Sequence, residues 1–141
     1  LIARRGLAAL LLAPAAAWAA EPEARRAIGG SLVALAAEPA VSLPLRSAAR
    51  GRQRAVYEGL RMPGPAVALV AERWLVGWGR QGEHGLFLAF DWQAEQLFLL
   101  LLDEGEAVYL APGRFARWPE PLAEPFARFA PGIAGGPGFV D

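Results

Sequence analysis

Apolar and polar residues change their period along the chain, and the change divides it into a helical part and a sheet. From Trp74 to Leu110 the apolar residues fall in short runs. Trp74, Val76 and Trp78 alternate with Leu75 and Gly77, while Leu86 to Phe90 and Leu97 to Leu102 contain only apolar residues. Runs of this length bounded by turn residues predict strands. Val67 to Val70 adds a short strand ahead of them, with Ala71-Glu72-Arg73 as a compact turn. Asp103-Glu104-Gly105-Glu106 is a hairpin signal from which Ala107 to Leu110 returns. The connections are too short for helical crossovers, so the strands pair antiparallel as a meander. Leu97 to Leu102 is apolar at both parities, which requires cover on both faces: a helix on one, a partner or a curled sheet on the other.

Helical spacing governs the flanks. Pro22 and Glu23 suit a first turn, with Ile28, Leu32 and Leu35 at helical spacing, and Gly29-Gly30 either splits this segment or leaves it partly ordered. Ser42 and Pro44 predict the start of a second helix over about Leu45 to Leu60, closed by Gly59, with Leu45, Ala49, Val56 and Leu60 as its apolar stripe. Met62-Pro63-Gly64-Pro65 breaks the pattern before the sheet. Beyond it, Pro119 opens an imperfect helix that turns Phe126 and Phe129 inward, with Pro125 either in its first turns or kinking it. The glycine-rich and proline-rich end, Pro131 to Asp141, is expected to be loosely held. The chain therefore reads as one α+β domain. A leader occupies 1–19, a helical region 20–63, the antiparallel sheet with a short C-terminal helix 64–130, and a flexible tail 131–141.

Composition alters this picture in two ways. All 14 basic residues are Arg, balanced by 14 acidic ones, and the chain has no Cys and a single His. A thiol nucleophile, a disulfide and a Cys or multi-His metal site are thereby excluded, no serine sits in a nucleophile elbow, and no cofactor is expected. Arg4 and Arg5 precede an apolar run to Ala17 and the small-residue site Ala17-Trp18-Ala19, the order of a secretory signal peptide cleaved after Ala19. The apolar run is too short to span a bilayer, so no permanent membrane anchor is expected after cleavage. Cleavage leaves 12 Arg against 14 acidic residues, a formal charge of −2. A bacterial periplasmic or secreted location follows. Nucleic acid is not an expected partner of such a protein. Arg46, Arg50 and Arg54 fall at i, i+4 and i+8, with Arg52 close by, and form either a solvated face or a contact for an anionic envelope ligand.

The candidate chemistry lies in the polar stretch between the first two long strands: Gly79, Arg80, Gln81, Gly82, Glu83, His84 and Gly85. Loops on rigid strands concentrate binding residues. His84 is read in three ways: as a solvated side chain, as a residue inserted toward the carboxylates of a glycosidase, or as a metal ligand with Glu83 and Asp91, a set short of nitrogen donors. Asp103, Glu104 and Glu106 at a hairpin tip are read as solvent-exposed. Trp74, Trp78 and Trp92 pack against helices, or else Trp78 and Trp92 flank the loop as an interface rim.

With the order helical region, Val67 to Leu69, Trp74-Leu75-Val76, a His-containing polar loop, Leu86 to Asp91 and Leu97 to Leu102, the chain resembles the Ivy-type inhibitors of vertebrate (c-type) lysozyme. The resemblance covers roughly Val67 to Leu110. It implies a periplasmic protein with a central antiparallel sheet and flanking helices, no enzymatic activity, and a loop whose histidine, here His84, enters the lysozyme active-site cleft. The family brackets that loop with two disulfide-bonded cysteines. Here glycines such as Gly79 and Gly85 stand near those places, which implies a flexible loop. The alternative reading is a periplasmic binder of an apolar or anionic envelope ligand, using the second face of the sheet and the Arg46 to Arg54 stripe.

Overall fold

The structure, a computed structural model, describes residues 25–141; the expected leader and its cleavage site lie outside them. Three helices, α1 (Leu32–Ala37), α2 (Pro39–Ala48) and α3 (Gln53–Leu60), precede five strands. These are β1 (Ala68–Val70), β2 (Trp74–Gln81), β3 (His84–Asp91), β4 (Gln96–Asp103) and β5 (Glu106–Ala111). A two-residue strand β6 (Trp118–Pro119), a 3₁₀ turn (Glu120–Leu122), α4 (Ala123–Phe129) and a strand β7 (Phe139–Val140) follow. β1 to β5 form one antiparallel sheet in sequence order, the predicted meander, and the fold is α+β.

The two parities of each central strand face different layers. Leu75, Leu88, Phe90 and Leu99 point toward Leu35, Leu45, Val56 and Leu60 of α1 to α3. Val76, Phe87, Phe98 and Leu100 point the other way, onto Trp118, Leu122, Phe126 and Phe129. The expectation of a covered second face therefore holds, but what covers it is the chain's own C-terminal segment. Phe87 lies 5.8 Å from Trp118 and 5.2 Å from Phe126, and Phe126 lies 5.7 Å from Phe129. Tilted and edge-on pairs at this spacing add about 0.5–1.5 kcal/mol each to the burial of their area.

Several expectations are corrected. The single helix over Leu45 to Leu60 is two helices, because Gly51 takes φ +82° and stops α2, a conformation that costs glycine nothing. α2 begins earlier than predicted, with Pro39 at its first turn, and carries Pro44 in its interior. Gly59 does not end α3: it lets the helix approach the sheet, since a Cβ there would sit 2.7 Å from the Leu86 Cβ. The tail is also held. Trp118 N–H donates to Gly138 O at 2.8 Å, β7 pairs parallel with β6, and Phe139 packs edge-on against Trp118 at 6.4 Å. Pro119 accordingly belongs to β6, and the helix starts at Ala123 with Pro125 in its first turn. The split at Gly29-Gly30 is present: Gly29 takes φ +82°, and Ser31 then caps α1 through the Ala34 N–H.

Candidate functional site

The stretch Gly79 to Gly85 is a tight hairpin, not a flexible loop. β2 and β3 stay paired through Gly79 with Leu86, Arg80 with Gly85 and Gln81 with His84. Only Gly82 and Glu83 form the turn. Gly82 takes φ +62° in the first central position, as a type II′ turn requires. The bracketing glycines are packing residues. A Cβ on Gly79 would stand 2.6 Å from Gly59 O and 2.8 Å from Met62 O, and one on Gly85 would stand 2.7 Å from Gly79 O and 2.9 Å from the Phe129 ring. Cysteines have no room at these positions. Arg80 is structural too: its Nη1 donates to Phe129 O at 2.7 Å, closing the carbonyl end of α4, and its Nε donates to Gly82 O at 3.1 Å.

Gln81, Gly82, Glu83 and His84 remain exposed at the tip. They do not stand alone, because the β4–β5 turn lies beside them and Gly105 N–H donates to Glu83 O at 2.9 Å. The end of the sheet is thus a blunt edge of two stitched hairpins. Asp103, Glu104 and Glu106 are exposed there, as expected from the sequence. His84 is not free of neighbours. Its Nε2 lies 3.5 Å from Asp103 Oδ1, and Arg52 Nη1, at the start of α3, lies 3.8 Å from Asp103 Oδ2. The imidazole and the carboxylate are each about half exposed, at 52% and 51%, so this contact contributes little to stability. Beneath them is a recess of only about 80 Å³, lined by Arg52, Met62, His84 and Asp103 among others. It has room for a few waters and none for an organic ligand. This end of the molecule can meet a partner as a protruding edge, not as a pocket.

The other sequence-predicted features disperse. His84 and Asp91 occupy opposite ends of β3, roughly 23 Å apart at the rise of an extended strand, so His84, Glu83 and Asp91 cannot share a metal. Trp92 sits in the β3–β4 turn, at the end of the sheet away from His84, and packs against the helical core. Trp78 is half-buried, stacked on Phe87 at 6.2 Å and covered by the Arg128 guanidinium at 5.3 Å. The arginine stripe is broken by Gly51: Arg46 lies on α2, Arg50 in the turn, and Arg54 on α3 in an i, i+4 pair with Glu58.

One cluster escaped the sequence reading. Asp91 is 3% exposed, and Arg73 grips it through Nε at 3.0 Å to both oxygens and through Nη2 at 2.7 Å. The N–H groups of Gln93 and Ala94 donate to Asp91 Oδ1 at 3.0 and 3.1 Å. Burial pushes the Asp91 carboxyl upward, but the Arg73 and backbone hydrogen bonds, with the charge of Arg73, outweigh it and hold the group below the usual carboxylate range. The only signal in the sequence was an acidic residue ending an apolar strand. Its partner lies across β2, in a turn eighteen residues earlier, which no local pattern connects.

Comparison with protein-family models, with curated proteins and with solved structures finds no match to this chain.

Proposed function

We propose that the protein is an exported, non-catalytic binding protein, that its contact surface is the edge formed by the β2–β3 and β4–β5 turns, and that its partner is a c-type lysozyme. The observation that carries the proposal is a half-exposed His84 on a pre-ordered tip with no ligand-sized cavity beneath it. A two-residue turn fixed by its own ladder loses little conformational freedom on binding, so the ordering cost of a flexible glycine loop does not arise. The partner rests on the resemblance in the order of elements and the position of the histidine. In this arrangement His84 turns from Asp103 to a carboxylate of the target cleft, and the neighbouring acidic side chains meet basic groups on its rim. The second face of the sheet is packed against Trp118, Phe126 and Phe129, so it offers an envelope ligand no continuous apolar face, only the recess at its end beside Trp74 and Phe98.

The test is a lysozyme-clearing assay with the purified protein. Inhibition is expected, and His84→Ala should weaken it by about 2 kcal/mol, the cost of a central contact residue. The melting temperature should stay nearly unchanged, because the contact that is lost is exposed. Full lysozyme activity at high micromolar concentrations of the protein would discard the proposal.

A further inference from the structure

The end of the sheet opposite His84 carries a recess of about 400 Å³, within the range of small-molecule sites. Its apolar lining comes from Trp74 and Phe98 of the sheet and from Pro119, Pro121 and Val140 of the C-terminal segment. Two arginines reach the same space. Arg73 has its Nε and Nη2 committed to Asp91 and its guanidinium lying over the Trp74 ring at 5.0 Å, while Nη1 has no hydrogen-bond partner among the described residues. Arg117 is exposed and makes no hydrogen bond or ion pair among the described residues. Asp91 has both oxygens occupied by Arg73, with Oδ1 also taken by two backbone N–H groups. It therefore acts as an anchor for Arg73 rather than as an acceptor for a ligand. Asp141, the other acid in the lining, is exposed. The unspent donors are consequently guanidinium N–H groups, one set fixed in orientation and one free to close, beside an aromatic and proline surface. Such groups select a planar oxyanion, and the surface beside them selects an apolar body.

We propose that this recess binds a small aromatic carboxylate, its ring against Trp74 and Phe98 and its carboxylate between Arg73 Nη1 and Arg117. Isothermal titration calorimetry of the full chain with 2-naphthoate tests it, with 2-naphthylmethanol as the uncharged probe of the same shape. Saturable one-to-one binding of 2-naphthoate is expected, weakened about tenfold both by Arg117→Ala and by replacing the carboxylate with the alcohol, and less by Arg117→Lys. Arg117 is exposed and holds no other group among the described residues, so its replacement is expected to leave the fold intact. Arg128→Ala, which removes a cation from Trp78 on another part of the surface, should leave the affinity unchanged. No saturation with 2-naphthoate, equal affinity for the alcohol, or an affinity indifferent to Arg117→Ala would each overturn the proposal.

Discussion

Asp91 shows how one side chain joins distant parts of the chain. Its carboxylate ties the β3–β4 turn to Arg73 in the β1–β2 turn, and its burial makes that tie costly to break. Removing one partner from such a pair leaves the other without its counter-charge, which costs several kcal/mol in a full interior; Arg73 is 40% exposed, so the cost here is smaller. Asp91→Asn is expected to lower stability by roughly 2 kcal/mol at pH 7. The folded carboxyl titrates below its unfolded value of about 3.9, so its contribution is complete above that value and is lost as pH falls through the folded one. Urea denaturation of both proteins at pH 7 and pH 2 should therefore show a smaller gap at the lower pH. A gap of equal size at both pH values would mean that the carboxylate charge plays no part.

At the scale of elements, the turns decide what the strands can do. Glu104-Gly105 takes φ +51° and +85° and Gly82 takes φ +62°, so the tight hairpins at the His84 end are spelled in turn residues. Gly82 was legible as a turn residue, yet three glycines within seven residues suggested a loose loop. Gly79 and Gly85 are instead required by backbone and rings that pass close to them from α3 and α4, contacts that sequence spacing does not display. The helical region failed in a related way: the stripe from Leu45 to Leu60 continues through Gly51, and only the geometry shows that the chain turns there. The β1–β2 turn breaks the local rule, because Ala71 and Glu72 both take positive φ, at +50° and +56°. A non-glycine residue in that region costs roughly 1–2 kcal/mol. Replacing Ala71-Glu72 by Asn-Gly is thus expected to raise stability by about 1 kcal/mol, since both residues accept that conformation. The denaturation midpoint measures it, with an unchanged slope showing that the folded state is otherwise the same. A lower midpoint would mean that Glu72 or Ala71 makes a contribution outside the turn.

At the scale of the molecule, the sheet is enclosed by its own chain on both sides, and the doubly apolar β4 is where this has its largest consequence. Sequence alone identified the strand and its two buried faces, and it assigned one face to helices. It points only to a partner or a curled sheet for the other, because Trp118, Phe126 and Phe129 lie in a proline-rich segment whose periodicity is weak. Once that segment folds back, Leu99 and Leu100 become equivalent in burial, each 0% exposed, although they point to opposite layers. Leu99 pairs with Leu88 and faces α1 to α3; Leu100 pairs with Phe87 and faces the aromatic cluster. Truncation of either should cost about 2–5 kcal/mol, the range for deleting a buried leucine side chain. The two variants also separate the layers. If a second copy of the chain covered the Leu100 face, the loss in Leu100→Ala would depend on protein concentration, whereas a face covered within the chain gives a midpoint independent of it. Denaturation at two concentrations tenfold apart should show no shift for either variant. A concentration-dependent midpoint confined to Leu100→Ala, or a loss below about 0.5 kcal/mol in that variant, would show that α4 and β6 do not close this face in solution.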